Sequence, residues 1–467
     1  MQKTKRSFAR AELYESAPIS RAVISLAVPT VLSQLITVLY NMADTFFIGQ
    51  LNDPSQVAAA TVSMPPFILL AGFANLFGIG GSSLISRSLG EGNQQKARRA
   101  AAFSIWGAGA VALLYGLVFL VFKPYILPLF GTTATTYDYC FDYLFWTVTI
   151  GAVPTVLSAC LAHLVRAVGL SRQAGIGIAL GGIMNIVLDP IFIFGFGLDI
   201  MGAAIATALS NVISFVYFVI VVARIKAPSP ITADPRCFTL GEGIPREVLT
   251  VGLSSFITNI MAILSNTVLN NLMSSYSDAA TAGIGIAKKI DMMTLAVSVG
   301  MSQGVLSLIG YNFAAKNYKR MYDAIKCAFK YLLVVSVATT LFLFFLAAPV
   351  SSVFIDDAET VEYAKYFMRV LCIICPMQAT ALMCVSVMQA VGEKVRPIIA
   401  SFARKGVFDV PLMFLMNFLL GVFGVAWATP IAEVLSMLVS LIMFLPTFRM
   451  MRRLVRESSD LSLDAGV

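Results

Sequence analysis

The sequence predicts an all-α integral membrane protein. Its twelve transmembrane helices form two pseudo-symmetric six-helix bundles, a parallel repeat with its axis along the membrane normal. Three observations predict this. Twelve apolar runs each exceed the roughly 20 residues that a helix needs to cross about 30 Å of hydrocarbon. Lys and Arg fall almost wholly on alternate sides of those runs, and the two halves match at an offset of about 223 residues. Composition agrees, with 58% hydrophobic and 12% charged residues and a mean hydropathy of +0.83, far from a soluble domain. Apolar and polar residues do not alternate, which excludes a β-barrel.

In chain order the runs cover about 22–48, 57–85, 100–122, 141–165, 173–197, 202–223, 248–274, 279–309, 327–348, 366–390, 397–420 and 424–447. They delimit a cytoplasmic tail over 1–21, an N-lobe of six spans over 22–225 and a cytoplasmic loop rich in Pro and charge over 226–247. A C-lobe of six spans over 248–447 and a cytoplasmic tail over 448–467 follow. Connections on one side of the membrane hold 28 of the 33 Lys and Arg; those on the other hold three, Lys123, Lys365 and Arg369. Basic residues stay in short cytoplasmic loops, so both termini are expected in the cytoplasm, with the chain in a cell membrane. The net charge of +8 then faces anionic lipid. No basic patch is interleaved with aromatics, so no nucleic-acid partner is expected. The first run is too long for a signal peptide and reads as a retained anchor.

Several chemistries find no support. Six of the seven Cys lie in or beside apolar runs, and the Cys372/Cys375 pair precedes Pro376 within a span. Packing is the reading for them rather than zinc or redox chemistry. The single His, His163, reads as an interhelical hydrogen bond near the inner end of the fourth run. Neither HExxH nor an in-span DDxxD is present, so no enzyme and no cofactor beyond a coupling ion is expected. The acidic run DDAE over 356–359 reads as solvated outer loop.

The repeat fixes the symmetry. MGAAIATALSNVIS over 201–214 lies on FGVAWATPIAEVLS over 423–436, and RAVGLSRQA over 166–174 on QAVGEKVRP over 389–397. Pro154 then falls on Pro376, and the loop from Asn93 on the loop from Asn317. Six spans per half is an even number, so both halves enter from the same side. A central cleft between two such bundles, open to either face in turn, is the architecture of a rocking carrier. One chain forms the whole pathway, so a monomer suffices.

Ionisable groups inside hydrocarbon are functional candidates by default. Asp44, Asp189 and Asp409 qualify by position, with Glu433 and Asp291 nearer the margin. Asp44 stands 8 residues before Asn52, Asp189 stands 10 before Asp199 and Thr207 stands 8 after it. All three therefore lie about 12–15 Å below the outer surface. Tyr40 and Asn41 precede Asp44, and Asn185 precedes Asp189, at helical spacing on the same faces. Thr207 and Asn211 repeat the i,i+4 pattern. Pro190 donates no backbone hydrogen bond and so frees the Ile186 carbonyl. Two carboxylates with amide, hydroxyl and carbonyl oxygens suit either Na⁺ or a shared proton. At the repeat offset the acids are not copied: Asp44 falls near Leu269, Asp189 near Pro411, and Thr207 on Thr429.

The opening LAVPTVLSQLITVLYNMADTFFIGQL and the stretch NIVLDPIFIFGFGLDIMGAAIAT resemble the multidrug and toxic compound extrusion (MATE) family over about residues 20–450. Within it, the chain is similar to the prokaryotic DinF-like, MepA-type branch. That resemblance implies an acidic site in the N-lobe, carried over as Asp44, Asn185, Asp189 and Thr207, which would also be the ligands if the ion is Na⁺. It implies export of drugs or toxic organic cations, amphipathic and often positively charged, in exchange for H⁺ or Na⁺. Branches with acids on the seventh and tenth helices are not matched, since those runs carry only Asn259, Asn266, Asn270, Asn271, Gln378 and Gln389.

Residues for a drug cavity are Lys288, Lys289, Asp291, Met292 and Met293, joined by Met261, Met273 and Met301. Thioethers adapt to varied apolar ligands, and Tyr40, Phe46, Phe67 and Phe73 are able to stack on a cation. Helix packing, and snorkelling for the lysines, are the competing readings. Pro29, 15 residues before Asp44, offers a hinge. Alternating access follows: the ion occupies Asp44 and Asp189 from outside, drug leaves, and the ion departs inside. Two alternatives stand beside this. A lipid-linked saccharide flippase of the same wider superfamily requires a strongly basic cleft, and a membrane-embedded transferase requires a metal-binding acidic motif at a membrane face.

Overall fold

The computed structural model describes residues 12–51, 53–225, 229–352 and 357–464. The tail to residue 11, the depth marker Asn52 and Asp356 of the acidic run lie outside them. The described residues contain helices and no strand. The first half runs α1 Ile19–Gly49, α2 Pro54–Gly90, α3 Gln94–Leu129 and α4 Tyr137–Leu144. Helix α4 continues as a π-helix over Phe145–Ile150 and bends by 52° into α5 Ala152–Ala167. Helix α6 Ser171–Pro190 passes into a second π segment, Ile191–Gly195, before α7 Asp199–Ala223. The second half runs α8 Ile244–Ser274, α9 Asp278–Ala314, α10 Tyr318–Phe345 and the short α11 Ala347–Ser352. Helix α12 Ala358–Cys372 bends by 44° into α13 Cys375–Ala390. After α14 Val395–Phe402 comes a third π segment, Ala403–Asp409, and then α15 Val410–Asp464, kinked at Gly421. With each bent pair taken as one span, and the stretch Val395–Ser458 as two across Gly421, the spans number twelve.

Local chemistry sets the ends of these helices. The carboxylates of Asp53 and Asp357, the Asn93 amide oxygen and the Ser277 hydroxyl each accept a backbone N–H in the first turn of α2, α12, α3 and α9. Such caps satisfy donors that a helix start leaves open. The acidic run DDAE thus does a defined job, because Asp357 also accepts from the Thr360 hydroxyl at 2.6 Å.

The repeat is written in the turns. Left-handed φ values recur at Gly92 and Lys316, at Gly169 and Gly392, and at Gly197 and Gly421, pairs separated by 223 or 224 positions. Glycine takes that conformation at no steric cost. The bends before Pro154 and Pro376 correspond as well.

Two compact units emerge: Leu32–Asn259, and Met1–Val31 together with Ile260–Val467. The boundaries fall inside α1 and α8. We call them the N-terminal and C-terminal units. The core of the N-terminal unit lines up Ala97, Ala100, Ala101, Ala108 and Ala112 of α3 against Phe77, Val148 and Leu161; small side chains let apolar helices approach closely. The C-terminal core gathers Leu269, Met273, Ile284, Phe367, Met368 and Met413. Large apolar side chains such as Leu114, Val121 and Phe418 stay exposed, the outward surface expected of helices solvated by lipid.

Three basic residues depart from the loop count. Arg166 and Arg404 are buried and Lys405 nearly so, although their positions near the ends of apolar runs placed them in cytoplasmic connections. Arg404 and Lys405 are held by carboxylates, which compensates their removal from water. Arg166 lies against His163.

Candidate functional site

The site residues of the N-terminal unit are brought together by glycines on α6. A Cβ on Gly182 would stand 2.9 Å from Ile36 Cγ2 and 3.0 Å from Tyr40 Cδ1, so only a bare backbone lets α1 approach here. On the other face of α6, Gly181 meets the Ser214 side chain and Gly177 the Phe218 ring. The Ser214 hydroxyl also donates to the Gly177 carbonyl at 2.9 Å. Helices α1 and α7 are thereby drawn against α6. One and two turns further on, α6 presents Asn185 and Asp189.

Asp44, Asn185, Asp189 and Thr207 are all buried, at 6%, 1%, 0% and 5% exposure. The Asn185 amide donates to Asp189 Oδ1 and to Thr207 Oγ1, both at 3.2 Å. Asp44 and Asp189 lie within electrostatic reach of each other and of Tyr40. With the amide donors of Asn185 spent, three buried oxygens remain without a hydrogen-bond partner: Asp44 Oδ1, Asp189 Oδ2 and Asn185 Oδ1. Buried acceptors are ordinarily satisfied. A cluster of acceptors that receives no hydrogen bond is chemically fitted to a proton or a hard cation, which prefers oxygen ligands.

Other expected members of the site divide. Tyr40 is half-buried at the cluster, whereas Asn41 is exposed, because one residue of helix rotates the side chain by about 100°. Asn211 donates to the Thr207 carbonyl of its own helix at 3.0 Å and so braces the backbone. Tyr143 on α4 joins the cluster, buried and within electrostatic reach of Asp44, Asp189 and Tyr40. Sequence reasoning missed it: in YDYCFDYLFW nothing sets one tyrosine apart. Phe73 stacks on Phe256 and meets the edge of Tyr115, and Phe67 packs on the core, whereas Phe46 is exposed. Pro29 sits within a continuous α1, two residues before the unit boundary at Val31. His163 forms the expected interhelical bond, Nε2 to Asn75 Oδ1 at 3.1 Å.

Of the expected cavity residues, Met292 is exposed, and Lys288, Lys289, Asp291 and Met293 are half-buried. Lys288 and Asp291 belong to a charged cluster in the C-terminal unit that reaches Lys405, Asp409, Glu433 and Arg404. The Arg404 guanidinium donates through Nε to both Glu433 oxygens at 3.0 Å, and Lys405 Nζ donates to Asp409 Oδ2 at 3.0 Å. The Ser265 hydroxyl donates to the same Asp409 oxygen at 2.5 Å.

Comparison with known proteins agrees with this architecture. The family model MatE matches residues 29–191 and again 254–415, once in each half. Multidrug export protein MepA of Staphylococcus aureus strain MRSA252 is 30% identical over 448 residues, covering 96% of this chain and 98% of that protein. The Staphylococcus saprophyticus protein of the same name is 28% identical over 92% of this chain and 94% of its own length. Among solved structures, an outward-facing multidrug resistance MATE family transporter of the MOP superfamily superposes with a TM-score of 0.85 at 24% identity, covering 96% and 98% of the two chains.

Proposed function

We propose an export function for this chain, which belongs to the MatE family, a family of membrane transporters and not of enzymes. The chain moves small amphipathic molecules, many of them cationic, out across the cell membrane in exchange for H⁺ or Na⁺. Its termini lie in the cytoplasm, and a single chain forms the pathway. The observation that carries the coupling is the buried group of three unpartnered oxygens on Asp44, Asp189 and Asn185.

The chain's residues act as follows. From the outer side an ion binds Asp44 and Asp189, with Asn185 holding Asp189 Oδ1 in place and Thr207 holding Asn185. Loading the ion neutralises charge between α1 and α6, and the two helices settle against each other. Because α1 passes through Pro29 into the other unit, a change in its lower half is transmitted along one continuous helix. Proline removes the hydrogen bond to the Ser25 carbonyl, which makes bending there easier. An ion drives the cycle only through unequal affinity for the two states. The flippase alternative needs unpaired basic groups; Arg404 and Lys405 are instead neutralised by Glu433 and Asp409.

Uptake of a fluorescent cationic dye into everted vesicles, whose lumen corresponds to the outside of the cell, tests the proposal when a pH or a Na⁺ gradient is imposed. Gradient-driven dye movement by the wild type and its loss in Asp44→Asn are the expected results. Full transport by that variant would overturn the coupling assignment.

A further inference from the structure

We propose that Lys405 is a tethered cation. Its ammonium fills the place at Asp409 that an alkali cation would otherwise take, so that the C-terminal unit is electrically closed without an exchangeable ion. The proposal stands on the ion network; only its consequence for transport rests on the export reading above.

The network is balanced in charge: Arg404, Lys405 and Lys288 face Glu433, Asp409 and Asp291. Glu433 is claimed by Arg404, whose Nε lies 3.0 Å from both carboxylate oxygens. Lys288 and Asp291 stand three residues apart on α9. That leaves Asp409, fully buried, with Lys405 as its counter-charge at 3.0 Å. Lys405 Nζ also stands 3.4 Å from Glu433 Oε1, so the ammonium is held between two carboxylates beside the Ser265 hydroxyl. Carboxylate oxygens of two acids around a monovalent positive charge, one of them also bound by the Ser265 hydroxyl, resemble the donor set of a hard cation site.

Two features set this arrangement apart from a purely structural bridge. A buried bridge is stable only when its remaining lone pairs are satisfied, yet Asp409 Oδ1 is buried with no hydrogen-bond partner. Lys405 and Asp409 also both lie on the π-helical stretch Ala403–Asp409, a winding that costs backbone geometry and is found mostly at functional positions. The Lys405 side chain keeps 14% exposure while its partner has none.

The consequence is an asymmetry of ion use. Asp44 and Asp189 form no salt bridge among the described residues and await an external charge, whereas Asp409 carries its own. The coupling ion therefore binds in the N-terminal unit alone.

The test uses purified full-length protein carrying Asp44→Asn and Asp189→Asn, which silences the proposed N-terminal site. Its thermal unfolding is compared in NaCl and in choline chloride of equal ionic strength. This background is expected to unfold identically in both salts. Adding Lys405→Met creates a saturable stabilisation by Na⁺, a rise in Tm of about 2–4 °C. Adding Lys405→Arg instead creates none, and Asp409→Asn on top of Lys405→Met abolishes it. Indifference of a monodisperse Lys405→Met protein to Na⁺ would overturn the proposal, as would equal Na⁺ stabilisation of the background. Should Lys405→Met aggregate in choline, recovery of monodisperse protein in NaCl supports the tethered cation, and equal loss in both salts refutes it. Failure of dye transport to follow any gradient would sink the export reading while leaving this measurement unchanged.

Discussion

The N-terminal and C-terminal units share a repeat but treat buried carboxylates in opposite ways. Around Asp44 and Asp189 the neighbours are Asn185, Thr207, Tyr40 and Tyr143, none of which carries a positive charge. Around Asp409 and Glu433 stand Arg404 and Lys405 at ion-pair distance. One unit leaves its buried carboxylates without a counter-charge; the other supplies counter-charges from within its own chain. Duplication thus conserved the scaffold, and the spacing of its turns, while the two interiors acquired different chemistry. Under the proposed mechanism, one half of the symmetric fold suffices to exchange ions with the solution.

Four experiments break or sharpen this contrast. The largest effect is expected at the open site, where Asp189→Asn, like Asp44→Asn, removes gradient-driven efflux while leaving the yield of folded protein unchanged. Vesicle transport and size-exclusion profiles of the same preparations check both halves of that statement. At the closed cluster the loss is one of stability. Arg404→Met leaves Asp409 and Glu433 to share the single Lys405 ammonium, so one buried carboxylate loses its counter-charge at a cost of about 3–5 kcal/mol, read as a lowered Tm or as failure to insert. Replacing both partners, Arg404→Met with Glu433→Leu, restores most of it.

A smaller change follows Thr207→Val. The Asn185 amide loses one acceptor, worth about 1 kcal/mol, so ion affinity falls by roughly fivefold and the ion concentration for half-maximal efflux rises with little change in maximal rate. The smallest effect concerns the cap of α12. The Thr360 hydroxyl and backbone amide hold the exposed Asp357 carboxyl below the usual range. Such a depressed group contributes stability that is present above its unfolded pKa and is lost as pH falls through the folded value. The protection factor of the Thr360 amide, its exchange relative to the intrinsic rate at the same pH, should therefore fall in acid, and in Asp357→Ala at any pH. A Thr360 amide insensitive to both would remove the cap from the account.

Much of this was legible before any coordinate. Run length and the spacing of charge give the spans, because the bilayer imposes both without reference to tertiary contacts. Asp44, Asn185, Asp189 and Thr207 were found because a carboxylate inside an apolar run is conspicuous and helical spacing says which polar neighbours share its face. Tyr143 was invisible, since a buried tyrosine among aromatics has no mark in one dimension. Spacing alone makes Asn41 a neighbour of Asp44, since a face can be read from spacing but its orientation to the rest of the unit cannot. Arg404 and Lys405 were counted as loop residues because a charge near the end of a run looks the same whether water or a carboxylate meets it.

The sequence by itself determined the class and the repeat, because the cost of moving polar groups out of water shapes every span. Only the tertiary structure decided which buried charges are answered and which are left open. That depends on distances of a few ångströms between helices far apart in the chain. Gly182 admitting α1 to the face of α6 and the π turn holding Lys405 over Asp409 are the clearest cases, because each sets a contact that no periodicity in the chain encodes.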